Sequence, residues 1–344
     1  MDAHIEGAIE GMAQTSQALS IGAKAGTLLR TENARWETLA SVAGAIYIVN
    51  RDGEMLWITD CPHALHPRAV LLPEIPSDAP AAGSVLRDVG GLLYCDAFRL
   101  AWHGAAPWAP GSLSSSERVA VGFPERVTKA IRLAVTSERG PIGNCRGLER
   151  AGSDRRPSAR EDAAGAIRKA MARDTRLLSG IATGKGVLPA LRAAAGLVGL
   201  GEGLTPEGDD ILGGYLFTLR SLSSIRRLTL NIDWEAVTAW LHSVAQRTNA
   251  ISHCMLVDHA RGDACAPLVE FVRGALEGTS DERLAQLVVD VAGIGASSGR
   301  SLLVGVCAAS HVAKACGESS RLQSPTQARA VVGRSWGREV VRVR

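Results

Sequence analysis

Ala45-Ile46-Tyr47-Ile48-Val49, then Asn50-Arg51-Asp52-Gly53, then Met55-Leu56-Trp57-Ile58-Thr59 is the stretch that decides the first half of the fold. Two short runs rich in β-branched and aromatic residues flank a turn whose Asp-Gly supplies the positive φ that a tight reversal needs, so the segment reads as a β-hairpin. Similar apolar runs occur at residues 68–72, 84–87, 91–95 and 98–102, separated by Pro, Gly or Asp, and Pro107-Trp108-Ala109-Pro110 closes the series. Five or six short strands at that spacing predict a small β-rich domain, barrel or sandwich-like, over residues 41–112.

Upstream, residues 1–40 are Ala-rich, with Ile5, Ile9, Met12, Leu19 and Ile21 at roughly helical spacing, and read as a helical extension. Downstream of Gly111 the period becomes helical. Ser114-Ser115-Ser116-Glu117 offers a helix start, and helices are expected near 158–181, 187–198, 207–225, 233–248, 263–277, 281–292 and 297–314. Asp233 and Asp263 are candidate N-caps, because a carboxylate there accepts from unpaired backbone N–H groups. Residues 138–160, with Gly, Pro, Ser and several Arg, read as a connection. The fold class is therefore α+β: the β-rich domain, then a mainly helical domain over 113–316 that carries the glycine-rich loops, then an Arg-rich tail at 317–344.

With 344 residues, the chain is long enough for about two domains. Apolar residues make up 46% and charged residues 21%, so a folded chain is expected. A formal charge of +3 is too balanced for a nucleic-acid coat or a polybasic membrane clamp. Seven cysteines, an odd number without a C-x-x-C pair, suggest neither a zinc site nor a disulfide framework and fit a reducing compartment. The first residues, Met1-Asp2-Ala3-His4-Ile5-Glu6, hold acids where a secretory signal needs cations, and no apolar run reaches the ~18 residues of a membrane span. A soluble cytoplasmic protein is the expectation.

Three Gly/Ser/Thr segments can carry chemistry. In the first, Gly199-Leu200-Gly201-Glu202-Gly203-Leu204-Thr205-Pro206-Glu207-Gly208-Asp209-Asp210 runs into an apolar helix, so that a ligand can approach the backbone at a positive helix end. Asp209 and Asp210 would repel an anion unless a Mg²⁺ ion bridges them to it or one of them acts as a general base. The plainer reading has Asp209 capping the helix while Gly213-Gly214 permits close packing. In the second, Thr248, Ser252 and Met255 share a helical face, so both hydroxyls could enter one cavity. His259 lies on about the same side, yet no G-x-S-x-G elbow or orienting acid supports a Ser/His nucleophile, and His253 with Cys254 lacks a complementary ligand cluster; core or solvated histidines are the plainer reading. In the third, Ser297-Ser298-Gly299-Arg300 opens an apolar helix, and a cation in a first turn, where the dipole disfavours it, points to an anion as partner. Its alternative is an ordinary Ser cap with a surface Arg.

The string from Gly201 to Gly214, with its Leu-Thr-Pro-x-Gly-Asp-Asp core, resembles the signature of a bacterial family that includes the AllH subunit of oxamate carbamoyltransferase. The stretch from Thr248 to Gly262 and the Ser297-Ser298-Gly299 turn with Gly305 resemble the family's later motifs, and the likeness spans roughly residues 40–310. Where the family usually has an acid after its Ser-Gly-x, Ser301 stands here. The resemblance implies a subunit working with AllF-like and AllG-like partners in allantoin and purine breakdown, where oxalurate and phosphate give oxamate and carbamoyl phosphate. It implies a small carboxylate or phosphate as substrate. Gly203, Leu204, Thr205, Gly208, Thr248, Ser252, Ser297, Ser298, Gly299 and Arg300 are then candidate binding residues, and Asp209 and Asp210 candidate bases or magnesium ligands. A small-molecule kinase, whose anion hole and base also use Gly-Asp-Asp at a helix start, and a non-catalytic metabolite-binding subunit are the alternatives.

Overall fold

The computed structural model describes residues 15–31, 34–96, 98–110, 122–136, 187–225, 230 and 232–322. Strands β1 (Ser16–Gln17), β2 (Ser20–Gly22), β3 (Arg35–Val42), β4 (Ala45–Asn50), β5 (Met55–Thr59), β6 (Ala69–Leu71), β7 (Val85–Val89), β8 (Leu92–Tyr94), β9 (Arg99–Ala101) and β10 (Ala106–Trp108) form one curled sheet. Its order is β1-β9-β8-β7-β3-β4-β5-β6-β2-β10. The hairpin lies at the centre, antiparallel, with Tyr47 opposite Trp57. Gly53 takes φ +78° in its turn, and Asn50 Oδ1 accepts from the N–H groups of Asp52 and Glu54.

Alternation along the hairpin decides what the sheet covers. Ile46, Ile48, Leu56 and Ile58 are fully buried inside the curl with Trp36, Leu86 and Phe98. The opposite face, with Tyr47, Trp57 and Thr59, is turned toward the helical half; β5 is therefore buried on both faces.

Residues 1–14 lie outside the described residues; among the described residues of 1–40 the helical expectation is met at α1 (Ala23–Leu29) alone, while Ser16–Gln17, Ser20–Gly22 and Arg35–Val42 are strands. The reason is visible in β3, where Trp36 and Thr38 are buried and Arg35 and Glu37 exposed, a period of two. Among the described residues the helical half comprises α2 (Phe123–Thr136), α3 (Leu188–Ala193), α4 (Glu207–Ser223), α5 (Trp234–Ser243), α6 (Ala250–Arg261), α7 (Ala266–Glu277), α8 (Asp281–Ala292) and α9 (Ser298–Leu322). Asp233 caps α5, accepting from Ala236 N at 2.9 Å. Asp263 caps nothing: Cys265 precedes α7, because Pro267 favours a start beside it. The connection at 138–160, the helix expected near 158–181 and the tail beyond 322 lie outside the described residues.

α4 is the central helix. Gly214 lies against Leu302 and Gly305 against Ile211, where an added Cβ would stand 2.1 Å from a backbone oxygen in each case. These glycines let α4 and α9 approach to backbone contact. The two halves are joined by a buried ionic node. Asp258 on α6, fully buried, accepts from Arg68 Nε at 2.5 Å, Arg68 Nη2 at 3.2 Å and Lys24 Nζ at 3.2 Å. Arg68 also donates to Glu54 and to the Met55 carbonyl, both at 2.8 Å.

Candidate functional site

The two adjacent carboxylates at the start of α4 have different surroundings. Asp209 accepts through Oδ1 from Gly199 N at 2.9 Å, and through Oδ2 from the Thr248 hydroxyl and from Ser252 Oγ at 2.7 Å. Both hydroxyls of the second segment thus converge on Asp209. The carboxylate ties the glycine loop to the start of α6. Asn249 helps, capping α6 through Ser252 N and donating from Nδ2 to the Leu204 carbonyl at 2.9 Å. Gly199 is required here, since a Cβ would stand 1.8 Å from the Arg247 carbonyl oxygen.

Asp210 is 7% exposed, and its Oδ2 has no hydrogen-bond partner. Burial pushes its carboxyl up to about 7, against the opposing hydrogen bonds of the Ser298 and Thr205 hydroxyls. Those hydroxyls are themselves 2.8 Å apart, joining the first and third segments. Asp210 lines a cavity of about 610 Å³ between the helical half and the hairpin. A carboxyl that is half-protonated near neutral pH in such a wall can take up and release a proton.

Of the residues singled out in sequence, Gly203, Leu204, Thr205, Asp210, Ser297 and Ser298 line this cavity. Gly208, Asp209, Thr248, Ser252, Gly299 and Arg300 are not among its lining residues. Gly208 and Gly299 are packing positions: a Cβ would stand 2.0 Å from the Leu197 carbonyl oxygen and 1.8 Å from that of Val291. Arg300 stands in the first turn of α9, half-buried.

A magnesium ion on this pair would compete with the N–H and O–H donors from which both Asp209 oxygens already accept, whereas Asp210 Oδ2 has no hydrogen-bond partner. Among the described residues, no group of three or more His, Cys, Asp or Glu side chains could hold a metal ion.

Sequence reasoning missed the sheet side of the cavity. Tyr47, Trp57 and Thr59 project into it from the hairpin, and His66 from the turn before β6. On the helical side His259, a buried core histidine as its plainer reading has it, also lines the cavity. Its ring fits because Gly213 has no side chain; a Cβ there would lie 2.7 Å from Nδ1. Burial lowers His66 to about 3 and His259 to about 4, so both rings are uncharged at neutral pH. Alternation placed Tyr47, Trp57 and Thr59 on one face, but nothing local showed that the face is covered.

Residues 197–310, the part of the helical half that holds all three motif loops, match the family model described as oxamate carbamoyltransferase subunit AllH. The match supports the family read from the motifs and suggests a carbamoyltransferase-related subunit. Neither a curated protein nor a solved structure matches the chain. Among the described residues no helix is long and apolar enough to cross a membrane.

Proposed function

We propose, with residues 197–310 matching the AllH family as the premise, that the cavity between hairpin and helices is the substrate site of a carbamoyltransferase-type subunit. The observation that carries this reading is Asp210, a buried carboxyl with one oxygen unpartnered in the cavity wall. Its role is proton transfer to or from the ligand. The loops before α4 and α9 bring Thr205, Ser297 and Ser298 to the same wall, where positive helix ends favour a small carboxylate or phosphate. Asp209 is a positioning residue, holding Gly199, Thr248 and Ser252 so that the loop keeps its shape. Oxalurate, oxamate, carbamoyl phosphate and phosphate are the ligands to try, and AllF-like and AllG-like chains the partners.

Thermal shift with that panel, with and without magnesium, tests the reading. Wild type is expected to be stabilised by at least one of the four ligands, and Asp210→Asn to lose the effect while remaining folded. Unchanged ligand stabilisation in Asp210→Asn would remove Asp210 from the site, and no stabilisation of wild type by any ligand would remove the site itself.

A further inference from the structure

On the sheet side of the cavity that Asp210 lines, His66 is held by its backbone as well as by ring packing. The residue is 4% exposed and lines the cavity, and its ring lies 4.7 Å from the Trp57 ring, centre to centre. The backbone N–H of Arg68 donates to its Nδ1 at 3.2 Å. An acceptor Nδ1 in an uncharged imidazole leaves the proton on Nε2, so the ring has one remaining donor.

The peptide around His66 is pinned from several directions. Ala25 N donates to the Pro67 carbonyl at 2.8 Å, and Ala69 N to the His66 carbonyl at 2.9 Å. Gly22 packs so closely that a Cβ would stand 2.2 Å from the His66 carbonyl oxygen. The Arg68 guanidinium is locked onto Asp258 and Glu54. Among the titratable groups around the ring, Asp258 favours its protonation whereas Arg68, Lys24 and, once protonated itself, His259 oppose it, and burial decides for the neutral form. Among the described residues that line the cavity none is a lysine or arginine.

We propose that His66 is the sheet-side electrophile of the cavity: its neutral ring, fixed as the Nε2–H tautomer by the Arg68 backbone, donates a hydrogen bond to a carbonyl or carboxylate oxygen of the ligand. This inference rests on the substrate-site reading above. A fixed neutral donor suits an oxygen whose negative charge grows during reaction, because it is already oriented and loses no proton to the ligand. It also favours a carbonyl compound over a phosphate dianion on this wall, since a dianion calls for cationic partners.

The test is a long-range ¹H–¹⁵N correlation spectrum of the full chain labelled at histidine, from pH 8 to pH 5, with and without saturating oxamate. The expected result is an Nε2–H tautomer that does not titrate over that range and an Nε2 signal that moves on oxamate addition. His66→Phe, which keeps a ring but removes the donor, should weaken oxamate about tenfold, the weight of one hydrogen bond to a charged group. His66→Gln, which restores an N–H, should recover most of that loss. If His66→Phe does not fold, the wild-type spectra still decide. An Nδ1–H tautomer, a ring that titrates in the range, or oxamate binding that leaves the His66 signals unmoved overturns the proposal alone. Absence of oxamate binding by both spectrum and thermal shift overturns it too; if none of the other three ligands stabilises the chain, the substrate-site reading fails with it.

Discussion

The helical wall of the cavity and the sheet wall are built on different principles. The helical wall is dense in sequence motif, yet much of that motif serves packing: Gly208, Gly214, Gly299 and Gly305 each face a backbone oxygen at a distance that excludes any side chain. The sheet wall contributes Tyr47, Trp57, Thr59 and His66 with no motif at all, only a strand's alternation and one turn. Glycine density therefore marks where helices touch, and a ligand-facing group must be identified by what remains unpartnered. Asp209 and Asp210 make the point within two residues: the first has both oxygens occupied, the second has one oxygen without a partner.

The largest expected effect tests whether the two walls are one folding unit. Arg68→Leu leaves Asp258 buried with Lys24 as its remaining ion-pair partner, which should cost about 3–5 kcal/mol of stability in urea denaturation. A loss below about 1 kcal/mol would mean that the halves are independent. Next, Asp210→Asn removes a buried carboxyl whose ordinary value of 3.8 is raised to about 7. The native state holds that proton more tightly than the unfolded chain, so wild-type stability falls as pH rises from about 4 to about 7. The variant escapes that loss and should gain on wild type by up to ~4 kcal/mol between pH 4 and pH 8, because each tenfold difference in proton affinity between the folded and unfolded chain is worth about 1.4 kcal/mol. His66 and His259 act with the opposite sign: their lowered values remove stability as pH falls below about 6.5. The difference between variant and wild type, rather than either curve, is thus the quantity to measure. A difference independent of pH would show Asp210 to be an ordinary carboxylate.

Gly214→Ala should cost ~3 kcal/mol, because its Cβ would meet the Leu302 carbonyl oxygen across α4 and α9. Gly203→Ala has open space and suffers only from its φ of +93°, about 1 kcal/mol. Equal melting temperatures for the two alanine variants would refute the division between packing and loop glycines.

The hairpin was legible because two alternating runs and an Asp-Gly turn are local signals. The strands inside residues 15–40 were not, since Ser16–Gln17 and Ser20–Gly22 are too short to show a period and sit among alanines that favour helix. Asp210 was legible as a candidate but not separable from Asp209, because the partners of Asp209 include Thr248 and Ser252, some 40 positions away. His66 was illegible for the same reason. What isolates it is a turn locked by Asp258, 190 positions along the chain from Arg68.

Two consecutive short strands, β1 and β2, lie far apart in the sheet order, β1 at one edge beside β9 and β2 next to the other edge between β6 and β10. The bridging residues take part as well, Ala18 N reaching the Ala101 carbonyl and Leu19 N that of Leu71. The curl is thus stapled shut by an early piece of chain joining partners some fifty to eighty-five positions later. Closure of such distant ends is slow and comes late in assembly. Gly22 seats against His66 where β2 pairs with β6, so that turn takes its shape with one end of the staple, whereas its lock through Arg68 waits until Asp258 on α6 has been made.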